Sequence, residues 1–245
     1  TRAILQHHFD EYLQYGGFPE GAHLQSKRDY LMSVYQKIYL GDIAARHRIE
    51  NSFALRFLFK KLSESIMQPM SFTRLTNLIT STGSKISKAT VINYMDYAKE
   101  AYLIFPIKNI SSHLSERESN PKYYFVDNGI ISLLTLNAES ALLENTVAME
   151  LLRRYGQENQ VFFYNEKVEV DFYIPETTTA IQVCLYPHES DETWRRETEA
   201  LIRFSKHLPC SQCLLITMND EETLTVDGVT IQLVPAWKWL IASPR

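Results

Sequence analysis

The chain has 245 residues, of which 45% are hydrophobic and 22% are charged, and its formal net charge is −4. This composition is typical of a folded globular protein and excludes an intrinsically disordered one. No apolar run approaches the roughly 18 residues of a membrane-spanning helix, so we expect no membrane crossing.

Cysteine usage and the first residues bear on where the protein works. The three cysteines are too few for a disulfide scaffold and favour a reducing compartment, which predicts a cytoplasmic protein. The opening residues carry neither an initiator Met nor a signal peptide, which is typical of an internal part of a longer protein.

Charge is distributed unevenly along the chain. Residues 1–110 carry 14 basic and 9 acidic side chains, whereas residues 111–245 carry 11 basic and 20 acidic ones. This asymmetry predicts two domains with different partners, which we place at residues 1–120 and 121–245. The basic part is suited to a phosphate backbone. The acidic part either holds cations or has a solvated surface.

Three helices are predicted in the first 70 residues. Apolar side chains recur at helical spacing over residues 4–15, 27–40 and 52–67. A Gly-Gly-Phe-Pro segment at residues 16–19 ends the first of these helices, and Gly41 ends the second.

Residues 71–108 have the outline of a winged helix-turn-helix. Ser71 and Ser87 are typical N-cap residues, and each precedes a stretch with helical apolar spacing. A strand over residues 102–105, ended by Pro106, follows the second helix.

The second helix of this motif is predicted to present polar and basic side chains to the solvent. Such side chains contact phosphates and base edges in DNA-binding helices. A winged helix also docks proteins or packs between neighbouring domains, and that alternative stays open. The candidate nucleic-acid-binding residues are Lys85, Lys88, Thr90 and Asn93.

The second half of the chain predicts a mixed sheet with helices packed on it. Residues 111–120 are polar and are expected to form a loop or the tip of a wing. After residue 138 the predicted order is helix, three strands, helix, two strands and a short final helix. The predicted fold class is therefore α/β for this half and α+β for the whole chain.

A candidate site lies on two neighbouring strands and the helix before them. Asp171 stands near the centre of an apolar strand, where Asp is disfavoured. Gln182 and Cys184 follow on the next strand, and alternate strand residues face the same way. Glu144 lies on the preceding helix. Carboxylates in this layout bind Mg²⁺, which activates a water molecule and stabilises the charge of a scissile phosphate.

Several segments of the second half resemble the restriction-endonuclease-like, or PD-(D/E)xK, superfamily. The resemblance implies a nuclease-like fold in which Glu144 and Asp171 are Mg²⁺ ligands and Gln182 lines the catalytic site. The segments are Leu143-Glu144-Asn145, Glu169-Val170-Asp171-Phe172, Ile181-Gln182-Val183 and the stretch with Thr193, Arg196 and Glu197.

The whole chain is similar to the C-terminal half of a family of prokaryotic AAA+ ATPases. The matching segments are YGGFPE at residues 15–20 and KYYFVDNG at residues 122–129. In that family an ATPase module precedes a winged helix and a nuclease-like domain. The resemblance implies that the intact protein binds ATP elsewhere, because no G-x-x-x-x-G-K-[ST] motif occurs in this chain.

The active-nuclease pattern is broken at one strand. Cys184 stands where the superfamily has its lysine, and Gln182 replaces an acidic residue. A thiol supplies neither positive charge nor ammonium donors, and such a loss costs on the order of a hundredfold in rate or more. Lys167, Arg195 or Arg196 can compensate only if the fold brings it to the site. We therefore expect a regulatory or interaction region that contacts DNA or a partner protein. The alternatives are an active Mg²⁺-dependent DNA endonuclease and a protein-interaction scaffold that self-associates.

A C-x-x-C pair at Cys210 and Cys213 is the remaining candidate. Zinc needs four ligands, and no second pair accompanies His207, which lies nearby. The pair precedes a predicted strand instead of opening a helix, unlike a typical redox motif. The sequence therefore favours neither a zinc site nor a redox site.

Overall fold

The computed structural model describes residues 2–111, 113–156 and 160–242. The chain divides into two units, here called the helical unit and the sheet unit. The predicted boundary at residue 120 does not coincide with this division, because residues 118–138 group with the helical unit. The helical unit comprises residues 7–106 and 118–138, and the sheet unit comprises residues 1–6, 107–117 and 139–245.

Helices dominate the chain as far as residue 134. The elements in order are α1 (Arg2–Tyr15), a 3₁₀ turn (Pro19–His23), α2 (Lys27–Gln36), a π-helical stretch (Lys37–Ala45), α3 (Ser52–Ser63), α4 (Phe72–Ser81), α5 (Lys88–Glu100), β1 (Ile104–Asn109), α6 (Leu114–Ser119), β2 (Lys122–Phe125) and α7 (Asn128–Leu134). Helix α3 supplies much of the core of the helical unit, since its Leu55, Leu58, Phe59 and Leu62 are almost completely buried.

Gly41 does not end the second helix, so that prediction was wrong. The helix continues as the π-helical stretch Lys37–Ala45, in which Tyr39 and Ile43 are buried. A glycine inside a helix costs about 1 kcal/mol relative to alanine, and the burial of these two side chains outweighs that cost.

The helix-turn-helix is present with both predicted caps. The Ser71 hydroxyl accepts a hydrogen bond from the Arg74 amide at 3.1 Å, and the Ser87 hydroxyl accepts one from the Thr90 amide at 3.0 Å. These bonds satisfy amides that the first turn of a helix leaves without a backbone partner. Helix, turn, helix and strand therefore follow one another as predicted.

The strand after this motif is longer than predicted. β1 passes through Pro106 and ends at Asn109, where it runs parallel to strand β3 (Phe162–Asn165). Proline lacks an amide donor but is tolerated here because the pairing with β3 begins beyond it, at Lys108. The expected loop at residues 111–120 contains helix α6, and Ser112 lies outside the described residues.

The sheet unit is built on a mixed sheet. Its elements are α8 (Glu139–Tyr155), β3 (Phe162–Asn165), β4 (Glu169–Ile174), β5 (Thr179–Val183), a 3₁₀ turn (Pro187–Glu189), α9 (Asp191–Phe204), β6 (Gln212–Thr217), β7 (Glu222–Val226), β8 (Val229–Pro235) and α10 (Ala236–Ile241). In the sheet, β4 is antiparallel to both β3 and β5. β6 runs parallel to both β5 and β8, and β7 is antiparallel to β8.

The predicted order of this unit omitted strand β7. β7 is largely exposed along its length, so the apolar alternation that reveals a half-buried strand is weak there. The core of the sheet unit lies between the sheet and α9. There the Phe204 ring makes T-shaped contacts with the rings of Tyr164 and Tyr173, whose centroids lie 5.1 and 4.9 Å from its own.

The predicted α+β fold class is confirmed, with helices on a mixed sheet. Among the described helices, none combines the length and the apolar character that a bilayer crossing requires.

Candidate functional site

Strands β4 and β5 bring Asp171 and Gln182 side by side. The Asp171 amide donates a hydrogen bond to Gln182 Oε1 at 3.2 Å, and Asp171 Oδ2 accepts one from the Val183 amide at 2.9 Å. Both side chains are buried, with exposed fractions of 7% and 8%. The two residues therefore share one location, while their catalytic role stays a prediction.

Glu144 comes from α8, which packs against β5. Its side chain is only 1% exposed, so the α8 face that carries it points into the protein. Glu150, two turns further along, binds Arg153 and Arg154. Burial alone would raise the pKa of Glu150, but the hydrogen bonds from these two arginines outweigh it and lower the pKa. Glu150 is therefore part of an ion-pair network of its own.

A further carboxylate, Glu197 of α9, joins the cluster. Its Oε1 accepts hydrogen bonds from Arg196 Nε at 2.9 Å and Nη2 at 2.6 Å. Its Oε2 is buried without a hydrogen-bond partner among the described residues. Burial raises the pKa of Glu197, the Arg196 guanidinium and the Gln182 amide oppose this, and the Asp171 carboxylate adds to it.

Glu197 was recognised in the sequence only as a neighbour of the site. The available signal was its spacing, because Glu197, Leu201 and Phe204 fall on one buried face of α9. A carboxylate within an apolar stripe is costly unless it is paired, which marks it as a candidate functional residue.

Cys184 also lies near the carboxylates of Glu197 and Asp171, at the position where the resemblance to nucleases implies a lysine. Burial, with a smaller effect of the Glu197 carboxylate, raises the pKa of the Cys184 thiol to about 11. The thiol is therefore neutral at physiological pH. A neutral thiol cannot stabilise negative charge on a phosphate as an ammonium group does.

Of the basic residues considered as substitutes, Arg196 reaches the cluster. Its guanidinium is bound to Glu197, and 68% of its side chain is exposed. Lys167 lines a different cavity, of about 290 Å³, together with His207. Arg195 lies along an open groove on α9.

The donors do not fit a Mg²⁺ site as they stand. Within the described ranges, no group of three or more His, Cys, Asp or Glu side chains has a metal-binding arrangement. Asp171 accepts a backbone hydrogen bond and Glu197 is held by Arg196. Binding of Mg²⁺ by Glu144 and Asp171 therefore stays a prediction from the sequence.

The predicted nucleic-acid contacts lie at the start of α5. Lys85, Lys88 and Asn93 are exposed, whereas Thr90 is half-buried. The Thr90 hydroxyl lies 2.8 Å from that of Ser87, so it takes part in the N-cap. The arrangement gives a surface with two lysines and an amide at the amino end of a helix.

The two segments that resemble the AAA+ family meet inside the helical unit. Asp127 Oδ2 accepts a hydrogen bond from the Gly17 amide and Oδ1 accepts one from the Gly129 amide, both at 2.7 Å. The Asn128 side chain donates to the Leu13 carbonyl at 2.9 Å. Here the Gly-Gly segment and the amino end of α7 form one hydrogen-bonded junction.

Comparison with known proteins gives a family without a described activity. The profile of a family described as a domain of unknown function (DUF8612) matches residues 6–141. An uncharacterized protein of Methanocaldococcus jannaschii is 34% identical over 252 residues, which cover 97% of this chain and 56% of that protein. An uncharacterized protein of Haemophilus influenzae is 28% identical over 236 residues, which cover 94% of this chain and 57% of that protein. The chain spans a little over half the length of these relatives, and no solved structure matches it significantly.

Proposed function

We propose that this chain, which belongs to the DUF8612 family, is the DNA-contacting regulatory region of a longer ATP-binding protein and does not itself cut DNA. The observation that carries the proposal is Cys184. Its thiol, with a pKa raised to about 11, is neutral at the position where the resemblance to nucleases implies a lysine, and this supports a site that does not cut DNA.

The charges around Cys184 support a cluster without catalytic power. Arg196 is the cation nearest to Glu197, and its guanidinium is already committed to that carboxylate through two hydrogen bonds. Phosphodiester cleavage needs positive charge directed at the phosphate, and an ion-paired guanidinium directs much less. The cluster is thereby suited to holding β4, β5 and α9 together.

DNA contact through the amino end of α5 is supported by exposure and charge. Lys85 and Lys88 are exposed beside the cap of α5, and neither side chain forms an ion pair with an acidic residue in the described part of the chain. Phosphate oxygens bind lysines and helix amino ends of this kind without reading the sequence. We expect weak, sequence-independent binding that depends strongly on salt.

ATP binding is assigned to a part of the longer protein outside this chain. Two facts support this: the chain spans a little over half of its relatives, and its YGGFPE and KYYFVDNG segments resemble those of AAA+ proteins. We place the protein in the cytoplasm, because its three cysteines are free thiols, which a reducing compartment favours.

Binding of a labelled DNA duplex, measured by fluorescence anisotropy at several salt concentrations, tests the DNA contact. Replacing both Lys85 and Lys88 by alanine is expected to lower the slope of log affinity against log salt by about two. The matched control replaces Lys37 and Lys206, which are exposed elsewhere, and removes the same charge. Equal losses in both double variants would show that only net charge matters.

Cleavage of the same duplex separates the proposal from an active endonuclease. We expect no Mg²⁺-dependent product above the level of the Asp171→Ala variant. Product that depends on Mg²⁺ and disappears with Asp171→Ala would favour the alternative of an active endonuclease, in which Glu144 and Asp171 are the metal ligands. Concentration-dependent self-association without DNA binding would favour the protein-interaction scaffold instead.

A further inference from the structure

We propose that Cys210 and Cys213 form a reversible dithiol–disulfide site in the sheet unit, with Cys210 as the attacking thiol and Cys213 as the resolving one. Their sulfur atoms lie 3.4 Å apart, within hydrogen-bonding distance. This site is independent of the cluster around Asp171 and of the proposed DNA contact.

The loop that carries Cys210 is fixed on both sides. The Tyr173 hydroxyl donates to the Pro209 carbonyl at 2.7 Å, and the Ser211 amide donates to the Thr178 carbonyl at 2.9 Å. The Ser211 hydroxyl lies 2.6 Å from that of Thr178. Because the loop is already ordered, bringing the two sulfurs together needs little further loss of conformational entropy.

Cys213 is fixed by the sheet. It lies on β6, opposite Ala180 of β5, and only 3% of it is exposed. Cys210 is half-buried, so it is the sulfur that a molecule in solution reaches first. This difference in exposure sets the order in which the two thiols react.

The hydrogen bond between the thiols also divides the two chemical roles. The hydrogen bond with the Cys213 thiol lowers the pKa of Cys210 to about 7, although burial opposes this. The same bond, with burial, raises the pKa of Cys213. Cys210 therefore has a large thiolate fraction near neutral pH, and the thiolate is the nucleophile in thiol–disulfide exchange.

The oxidant is a low-molecular-weight disulfide such as oxidised glutathione. The Cys210 thiolate attacks one of its sulfurs, the disulfide bond breaks, one glutathione thiolate leaves, and a mixed disulfide forms. Cys213 then loses its proton and attacks the Cys210 sulfur, which releases the second glutathione. The protein loses two electrons and two protons, and the oxidant becomes two molecules of glutathione thiol.

Cys184 is the matched internal control. It is also half-buried, but its pKa is raised to about 11. At pH 7 a much larger fraction of Cys210 is thiolate, although the more acidic thiol is the weaker nucleophile. Together these effects make the expected reaction rate of Cys210 roughly a hundredfold higher than that of Cys184. Trypsin separates the two sites, because Arg195, Arg196, Arg203 and Lys206 lie between them and no Lys or Arg lies between Cys210 and Cys213.

The main experiment equilibrates the full chain in glutathione buffers of increasing oxidised fraction, quenches with acid, blocks free thiols and analyses tryptic peptides by mass spectrometry. We expect the peptide with Cys210 and Cys213 to lose two hydrogens as the buffer becomes oxidising and to regain them in dithiothreitol. The Cys184 peptide keeps its free thiol. A pair that stays alkylatable in the most oxidising buffer overturns the proposal.

Two further measurements assign the roles. Cys213→Ala is expected to accumulate the mixed disulfide of Cys210 with glutathione, whereas Cys210→Ala leaves Cys213 unmodified. In the unaltered protein, iodoacetamide at pH 7 should modify Cys210 roughly a hundredfold faster than Cys184. Equal alkylation rates, or no mixed disulfide in folded Cys213→Ala, contradict the assignment.

Discussion

Asp127 is a buried carboxylate that links the Gly-Gly segment to the amino end of α7 by hydrogen bonds. It caps α7 and accepts amides from Gly17 and Gly129, and it is only 5% exposed. Burial raises its pKa from 3.8 to about 6, although the two backbone hydrogen bonds oppose the shift. The unfolded chain loses the Asp127 proton near pH 3.8, whereas the folded protein keeps it up to about pH 6. Between these two values the folded protein therefore binds more protons than the unfolded chain.

The first prediction follows from this shift. Because the folded state binds more protons in that window, Asp127 makes the folded protein less stable as the pH rises from 4 to 7, by on the order of 3 kcal/mol. The difference in free energy of unfolding between the unaltered chain and Asp127→Asn, measured with urea, should change by this amount between pH 4 and pH 7. Asp10→Asn, which removes a charge from the exposed face of α1, is the control. A difference that is constant with pH would contradict the raised pKa.

Gly16 provides the second prediction at this scale. Its φ of +77° belongs to the left-handed region, and a Cβ there would lie 1.9 Å from Asp127 Oδ1. We expect Gly16→Ala to lower the free energy of unfolding by about 2–4 kcal/mol, through backbone strain and steric overlap together.

Gly83→Ala is the matched control for this overlap. Gly83 has a φ of +88°, but nothing lies within 4 Å of its ideal Cβ. The control should lose only about 1 kcal/mol, the strain alone. Similar losses for the two variants in thermal or urea unfolding would mean that the contact with Asp127 does not limit residue 16.

At the scale of elements, the helix-turn-helix depends on its two serine caps. The third prediction is that Ser87→Ala lowers the free energy of unfolding by about 1 kcal/mol, because the Thr90 amide loses its acceptor. Ser33→Ala, at an exposed position inside α2, is the control and should be neutral or slightly stabilising. Urea unfolding followed by circular dichroism measures both, and an equal effect would argue against capping.

The strand pair β4–β5 and helix α9 form the other decisive arrangement of elements. β4 and β5 bring Asp171 and Gln182 together by pairing, whereas α9 delivers Glu197 and Arg196 from residues further along the chain. The cluster therefore depends on packing between elements as well as on pairing within the sheet. A helix displaced by one turn would remove Glu197 from it.

At the scale of the whole molecule, the fourth prediction concerns metal. The free energy gained on binding a ligand grows with its concentration over its Kd. Within the described residues, no group of three or more His, Cys, Asp or Glu side chains has a metal-binding arrangement. We therefore expect thermal unfolding of the full chain to be the same in millimolar Mg²⁺ and in EDTA. A rise in melting temperature with Mg²⁺ that is absent from Asp171→Asn would show that this carboxylate binds the ion.

The sequence by itself determined the features that depend on near neighbours. Ser71 and Ser87 each accept a hydrogen bond from the backbone amide three residues further along, and apolar spacing identified most helices and strands. The pairing of Asp171 with Gln182 was also predictable, because 11 residues and one short turn separate them. Local hydrogen bonds and the periodicities of helix and strand depend only on residues close together in the sequence.

Tertiary structure alone decided the features that depend on residues far apart in the chain. Gly17 and Asp127 are 110 residues apart, and only packing of the helical unit makes them partners. The arrival of Glu197 beside Gln182 belongs to the same class, and the helix passes Gly41 because Tyr39 and Ile43 are buried. Cys210 and Cys213 are neighbours in sequence, but the loop that holds their sulfur atoms 3.4 Å apart is fixed by Tyr173 and Thr178 of a distant segment. Burial and long-range contact fix these positions and set the pKa values, and no local propensity encodes either effect.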